Sequence, residues 1–350
     1  MDPRGFPETL PEFQKVFPNE EACADYLEKL RWPEGFACPK CGVAAEPWRL
    51  AKPGVLKCSS CRADISLTAG TVMHSTHSEL TTWFWAAYLV TTQTPGMSAL
   101  QFQRQMGLKR YETSYMLLQK LRSGMVRPER DVIGTEHPVE VDETLVGGRT
   151  KGKGRGVHEK VYVIGAVEVR TRRQGEDRSS PSGVAHSEGK PLKKRIYAGR
   201  LRLQMTDDRK AATCEGFVRD HVAPGARVRT DGWQGYDGLT RQGWSHDGLA
   251  LNANAELTNE HLPLIHLVFS NLKAWINGTH HGRIEPKHLQ AYLNEFVFRF
   301  NRRFYPMTSF NSVLGLAVRT VPPTYARLYS GVWQHPGGPP KAPQIEIPFQ

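Results

Sequence analysis

The sequence has no long apolar run, no apolar leader and few cysteines. No stretch of ~18 or more apolar residues occurs, so we expect no helix that spans a membrane. Residues 1–7 contain no apolar signal-peptide core. Of the six cysteines, four form two CxxC pairs, which in a reducing compartment indicate a metal site rather than disulfides. We therefore expect a cytoplasmic protein that neither spans nor binds a membrane.

Acidic residues are also under-represented relative to basic ones. The chain has 46 Lys and Arg against 35 Asp and Glu, which gives a formal net charge of +11. An excess of this size favours a polyanionic partner, and nucleic acid is the usual one. The 350 residues can bury a sizeable core and predict two or three domains.

The four paired cysteines have the spacing of a zinc ribbon. They are Cys38, Cys41, Cys58 and Cys61. Two residues between the thiolates of each pair let one turn present both sulfurs to one ion, and two such turns complete a tetrahedral site. A redox role is disfavoured because two pairs at this spacing are not a thioredoxin pattern. We predict one structural Zn²⁺; contact of the ribbon with DNA stays open.

Residues 98–115 resemble a helix-turn-helix. Gly107 marks the turn, and Lys109, Arg110, Tyr111 and Ser114 fall in the first turns of the second helix, where a recognition helix meets the groove. An ordinary helical hairpin is the alternative. Beside a zinc ribbon in a basic chain, the pattern favours DNA binding, with Lys109 and Arg110 as contacts.

Two aspartates are predicted at the ends of β-strands. Asp142 lies in residues 139–148, where we expect the strand to give way to a Gly-rich turn, and Asp231 follows the strand at 226–230. Two carboxylates that meet in this way hold divalent cations for phosphoryl transfer. The alternative is a pair of turn-forming residues, since Asp-Gly is a common turn dipeptide. Glu143 should point to the opposite face of its strand, as a support rather than a ligand.

Motifs in the second half of the chain follow one another in a characteristic order. They are Val141-Asp142-Glu143-Thr144, Thr230-Asp231-Gly232-Trp233, His266 with Ser270-Asn271-Leu272-Lys273, Gly278-Thr279-His280-His281-Gly282, and the segment 296–303. In this order, behind a zinc ribbon, they resemble the IS1595-type (ISXO2-like) insertion-sequence transposases. The resemblance covers nearly the entire chain.

The resemblance implies an α/β protein with an RNase H-like catalytic domain, a mixed five-stranded sheet with helices. We expect an N-terminal helical segment at 1–36, the zinc ribbon at 37–66 and a helix-turn-helix-like segment at 78–126. The catalytic domain is expected at 137–305, followed by a C-terminal extension at 306–350.

The third catalytic position departs from the common pattern. Many related transposases carry Glu at this position, as His-x4-Glu, whereas this chain has Asn271 five places after His266. An amide oxygen can ligate Mg²⁺, so we take Asn271 as the third ligand. Glu256, Glu260 and Glu285 could serve instead, and Asn271 would then be an ordinary surface residue.

The expected reaction is metal-dependent cleavage at the ends of an insertion sequence and strand transfer into target DNA. Two Mg²⁺ (or Mn²⁺) ions would be shared by Asp142, with Asp231 and Asn271 each completing one. Lys273 neutralises a phosphate or faces solvent, and His266 supports the site, contacts DNA or is simply packed. Further phosphate contacts are expected from Arg149, Lys151, Lys153 and Arg155.

The partners implied are double-stranded DNA, as terminal inverted repeats and target, and further copies of this chain, because two ends must be joined. Two rival functions stay open. One is a non-catalytic DNA-binding protein with a degenerate second half; the other is a nuclease or Holliday-junction resolvase on the same fold.

Overall fold

The computed structural model describes residue 7 and residues 9–126, 131–147, 160–171, 196–250, 254–281 and 284–330. The chain divides into two compact units. The first combines Met1–Arg127 with Tyr305–Gln350, and the second is Pro128–Phe304. Among the helices within the described ranges, none is both long and apolar enough to cross a bilayer.

The helices and strands follow one another along the chain in this order: α1 (Leu10–Val16), α2 (Glu20–Arg31), β1 (Trp48–Arg49), β2 (Val55–Lys57), β3 (Asp64–Ser66), α3 (Leu80–Thr92), α4 (Ala99–Met106), α5 (Tyr111–Gly124), β4 (Val139–Val146), β5 (Val161–Thr171), β6 (Ile196–Thr206), α6 (Ala211–His221), β7 (Arg227–Thr230), β8 (Ser245–Gly248), α7 (Ala255–His261), α8 (Pro263–His280), α9 (Pro286–Phe300), α10 (Pro306–Ala317) and α11 (Tyr325–Ser330).

The first unit is a helical core built around an aromatic cluster. Asn19 caps α2, accepting a hydrogen bond of 3.0 Å from the amide of Ala22, as asparagine commonly does at this position. Helix α3 is apolar on nearly all sides and is buried accordingly. Phe310 of α10 stacks edge-on against Phe13 and Phe84, with ring centroids 5.6 and 5.9 Å apart. The C-terminal helix α10 is therefore part of the core of the first unit.

The second unit is a mixed α/β structure around a five-stranded sheet in the order β6-β5-β4-β7-β8. Strands β4, β5 and β6 are antiparallel to one another, whereas β7 runs parallel to both β4 and β8. Helix α6 covers one face, where Val139 and Val141 join its apolar side chains. Helices α8 and α9 cover the other face.

Helix α8 lies unusually close to the sheet at Gly165 of β5. A Cβ atom built there would lie 2.8 Å from the ring of Phe269 and 2.9 Å from Leu203. Only glycine fits this contact, which sets the distance of α8 from the centre of the sheet.

The prediction that the first strand ends at Asp142 is wrong. Strand β4 continues to Val146, and Asp142 is the fourth of its eight residues. The reason is the unbroken antiparallel pairing with β5, from Val139 opposite Glu168 to Val146 opposite Val161. This pairing holds the polar residues 142–144 in the strand, although they have little tendency to extend it by themselves.

Candidate metal centre and nucleic-acid interface

The fold brings the two predicted aspartates together. The β4–β7 register pairs Val139 with Val228 and Glu140 with Arg229, and the same register carried two residues further sets Asp142 level with Asp231. Asp231 is the first residue after β7, and its Oδ1 accepts a 2.9 Å hydrogen bond from the amide of Trp233. One carboxylate oxygen from each of Asp142, Glu143 and Asp231 lies within 4.8 Å of the others.

This carboxylate cluster carries strong mutual repulsion. Asp142 is 6% exposed. Burial, followed by the charges of Glu143 and Asp231, raises the pKa of Asp142 to about 8. Burial and Asp231 also raise the pKa of Glu143. Clustered carboxylates that resist ionising together are what a divalent cation stabilises, so the donor set fits a hard cation such as Mg²⁺.

Glu143 belongs to this group, although the sequence predicted it to be only a support on the far face. Its two oxygens accept hydrogen bonds from Arg209 at 3.2 Å and from the Tyr236 hydroxyl at 3.0 Å. Arg209 stacks 3.9 Å over the Trp233 ring, whose indole N–H donates to the Arg209 carbonyl. Through Trp233 the same network also reaches Asp231. Glu143 is therefore both close to the aspartates and held in place.

Helix α8 is fastened to β4 by the carboxylate of Glu140. Glu140 is fully buried, and its Oε2 accepts 2.8 Å hydrogen bonds from the amides of Leu264 and Ile265 in the first turn of the helix. A carboxylate is stabilising at this end of a helix. The next residue of α8, His266, lies beside Asp142, with Nε2 3.5 Å from Oδ2.

The residues of α8 that the sequence singled out fall on different sides of the helix. Lys273 is seven residues from His266, about two turns, and so lies on the same side. Its charge acts to lower the pKa of Asp142. Asn271 is exposed and, five residues from His266, projects about 140° around the axis from it. The structure therefore places His266, rather than Asn271, next to Asp142.

The three glutamates that could replace Asn271 as the third ligand are exposed side chains. Glu256 and Glu260 lie on α7, and Glu285 precedes α9 and pairs with Lys287 at 2.9 Å. The carboxylate group found among the described residues does not include them.

A cleft of about 600 Å³ adjoins the carboxylate cluster. Arg209 and Trp233, which contact Glu143 and Asp231, form part of its lining, together with Tyr162, Lys210 and Arg241. The lining also includes the carboxylates of Asp208, Glu215 and Asp237, so the cleft presents both signs of charge beside its aromatic rings.

The four paired cysteines of the first unit converge as predicted. Their sulfurs lie within 4.8 Å of one another, with Cys38 3.7 Å from Cys61 and Cys41 3.8 Å from Cys58. Four sulfurs bound tetrahedrally to one Zn²⁺ at ~2.3 Å are about 3.8 Å apart, so the group fits that ion. The second cysteine turn connects β2 to β3 of the short three-stranded sheet β1-β2-β3.

Each cysteine turn ends in a left-handed residue. Gly42 has a φ of 74° and Arg62, at the matching place, a φ of 63°. Their amides return to the carbonyls of Cys38 and Cys58 at 2.8 and 3.1 Å. Glycine, which adopts this conformation most readily, occupies the first turn, and Arg62 adopts the same conformation at the second turn.

The predicted helix-turn-helix consists of α4 and α5. Gly107 ends α4 with a φ of 61°. Lys109 and Arg110 are exposed immediately before α5, not within it as expected, and Tyr111 follows with 46% exposure. Ser114 is fully buried and therefore cannot contact a groove. The predicted phosphate contacts Arg149, Lys151, Lys153 and Arg155 lie outside the described residues.

Sequence reasoning missed Glu140 and the hydrogen bonds that join Arg209 and Tyr236 to Glu143, although Trp233 stands in one of the family motifs. The alternation of strand residues offered a signal for Glu140, because it shares a strand face with Asp142. The network had no such signal, since its members come from separate segments after β6 and β7.

Comparison with known families finds matches for two segments of the chain. Residues 134–301 match the ISXO2-like transposase domain, and residues 18–64 match a transposase zinc-ribbon domain. A protein of Halobacterium salinarum, described as an uncharacterized protein in transposable element ISH50, is 24% identical over 294 residues. That alignment covers 81% of this chain and 92% of the relative. No solved structure matches the chain significantly.

These matches place the chain in the class of insertion-sequence transposases, whose domains act on DNA. Within that class it belongs to the IS1595 family, with a zinc ribbon ahead of an ISXO2-like domain.

Proposed function

We propose that this chain is an active DDE-type transposase that cleaves DNA at the ends of an insertion sequence and joins them to target DNA. One observation carries the proposal: Asp142 of β4 and Asp231, directly after β7, meet with Glu143 inside the family's transposase domain. A degenerate, purely DNA-binding protein would have no reason to keep three mutually repelling carboxylates at the centre of its sheet.

The sheet supports the RNase H-like fold that the family resemblance implies. Counted within the sheet, its strands lie in the order 3-2-1-4-5, with the first three antiparallel and the last two parallel to the first. Asp142 lies on the central strand and Asp231 at the end of its parallel neighbour.

The reaction has two steps at phosphodiester bonds. In the first, water attacks a phosphodiester at the element's end and releases a free 3′-hydroxyl. In the second, that hydroxyl attacks a target phosphodiester in line, forming one phosphodiester bond as another breaks. No covalent bond to the enzyme is needed.

The residues of the site would divide the work. Asp142 and Asp231 would hold two Mg²⁺ or Mn²⁺ ions, which when bound lower the pKa of the attacking hydroxyl and neutralise charge on the scissile phosphate. Arg209 and Tyr236 keep Glu143 oriented beside them. Lys273, on the His266 side of α8, would bind a phosphate oxygen. Joining two ends requires an oligomer on DNA, for which we expect a dimer or larger.

The test is a joining assay with the full-length chain, DNA carrying both terminal repeats of its element, and Mg²⁺. We expect nicked ends and joined products with the native chain. Asp142→Asn should lose both while still binding end DNA, and Asp220→Asn, an exposed residue of α6, should behave as the native chain.

Three outcomes would contradict the proposal. Undiminished joining by Asp142→Asn would remove Asp142 from the site. Nicks without joined products would favour a nuclease or resolvase. End binding without any metal-dependent cleavage by the native chain would favour the non-catalytic DNA-binding protein.

A further inference from the structure

His266 has a buried ring nitrogen that makes no hydrogen bond. Although 42% of the side chain is exposed, Nε2 is inaccessible to solvent and has no hydrogen-bond partner. Its nearest charged neighbour is Oδ2 of Asp142 at 3.5 Å, in a geometry that does not make a hydrogen bond. A buried polar atom left without a partner is costly, so native structures seldom keep one without a reason.

The position of His266 is fixed rather than incidental. Glu140 holds the amides of Leu264 and Ile265, the two residues that precede it. The close contact of Phe269 with Gly165 fixes the same helix one turn later. The helix backbone that carries His266 is therefore held on both sides of this residue, which pre-organises it for a ligand as metal sites require.

Two groups of potential metal ligands share Asp142. One is the pair with Asp231, beside which Arg209 and Tyr236 hold Glu143. The other is the pair with His266. Two-metal phosphoryl transfer needs such an arrangement, with one carboxylate common to both ions and further ligands for each. Neighbouring ligand atoms on an octahedral ion at ~2.1 Å lie about 3 Å apart. Nε2 of His266 and Oδ2 of Asp142, which are 3.5 Å apart, therefore need to approach only slightly to bind one cation.

We propose that Nε2 of His266 is the third protein ligand of the metal centre, in the role that the sequence pattern suggested for Asn271. The proposal rests on the function proposed above. It makes the centre two aspartates and a histidine rather than two aspartates and an asparagine.

A nitrogen ligand would change which metal the site prefers. Imidazole is a ligand for first-row transition metals, the series to which Mn²⁺ belongs, whereas Mg²⁺ is bound through oxygen. The second ion should therefore favour Mn²⁺ over Mg²⁺ in this chain. His266→Glu should shift the preference back toward Mg²⁺ because it replaces the nitrogen by a carboxylate.

The experiment is electron paramagnetic resonance of Mn²⁺ bound to the full-length chain, purified without a histidine tag and with its zinc retained. Echo-modulation spectra detect a ¹⁴N nucleus bonded directly to Mn²⁺, independently of catalysis. The variants are His266→Ala, His266→Glu, the matched Asn271→Ala on the same helix, and Asp142→Asn.

We expect ¹⁴N modulation in the native chain and in Asn271→Ala, and none in His266→Ala or His266→Glu. His266→Ala should weaken Mn²⁺ binding at least ~10-fold, which is the lower range found when outer-shell partners alone are removed. His266→Glu should retain Mn²⁺ and bind Mg²⁺ more tightly than the native chain does.

Persistence of the ¹⁴N signal in His266→Ala, its absence from the native chain, or equal weakening by Asn271→Ala would overturn the assignment. If Asp142→Asn abolishes Mn²⁺ binding in such a case, only the histidine assignment fails. If Asp142→Asn binds Mn²⁺ as tightly as the native chain, the metal centre of the proposed function fails as well.

Discussion

Replacing Asp142 by asparagine should stabilise the metal-free second unit even as it destroys the proposed site. Burial and the charges of Glu143 and Asp231 raise the pKa of Asp142 from 3.8 to about 8. At pH 7 the folded chain therefore retains a proton that the unfolded chain would release.

The size of the effect follows from this difference. Each pH unit between the two pKa values is worth ~1.4 kcal/mol, so the roughly three units between 3.8 and 7 cost up to about 4 kcal/mol. Asparagine has nearly the same shape and no charge, and we expect a gain of ~1–4 kcal/mol after local relaxation.

The pH dependence has a definite sign. Because the folded pKa is raised, the contribution of Asp142 is fully favourable below about pH 4 and is lost as the pH rises through about 8. The native second unit should therefore lose stability across this range, and Asp142→Asn should flatten the slope. Mg²⁺ at ~100 times its Kd should add about 2.7 kcal/mol to the native chain and nothing to the variant.

The measurement is hydrogen exchange of peptides from β4 and β5, since this reports the opening free energy of the sheet separately from the first unit. Asp220→Asn, on the exposed face of α6, is the control and should leave exchange unchanged. Faster exchange of β4 in Asp142→Asn at pH 7, or an unaltered pH slope, would refute the electrostatic reasoning.

Three further expectations follow from other parts of the molecule. Burial alone would raise the pKa of Glu168, but hydrogen bonds from Arg200 and Arg170 lower it to about 2. Glu168→Gln should therefore lower the opening free energy of β5, measured by hydrogen exchange, by ~3 kcal/mol. The stability that ionised Glu168 contributes should be lost as the pH falls from about 4.5 through 2. A decrease below ~1 kcal/mol would contradict this reasoning. Cys58→Ser should release the zinc, measured by atomic absorption, and retention of one full equivalent would exclude the four-sulfur site. Changing Lys109 and Arg110 to Ala should each reduce the slope of log K for end binding against log salt concentration by ~1. An unchanged slope would show that neither residue contacts a DNA phosphate.

Much of the zinc ribbon and of the helical boundaries was predictable because the determinants are local. Two residues between cysteines dictate a turn around one ion, and the cysteine sulfurs converge accordingly. Asn19 predicts the start of α2 by capping it, and Gly107 predicts the end of α4 by adopting a left-handed conformation.

The candidate metal centre was predictable only in part. The sequence identified Asp142 and Asp231 from their strand settings and family motifs, but not the register that sets them level. It ended the first strand too early because pairing with β5, a partner separate in sequence, keeps polar residues extended. It also favoured Asn271 from the family's His-x4-Glu pattern, whereas in the structure it is His266 of α8 that lies beside Asp142.

The sequence by itself determined the chemistry available to this protein: four thiolates, two strand aspartates, a basic surface and the motifs of a transposase family. Tertiary structure decided which groups meet. Glu140 sets the rotation of α8, β7 brings Asp231 level with Asp142, and Arg209 with Tyr236 holds Glu143 beside them. These contacts join residues far apart in the chain, and local propensity carries no information about such distances.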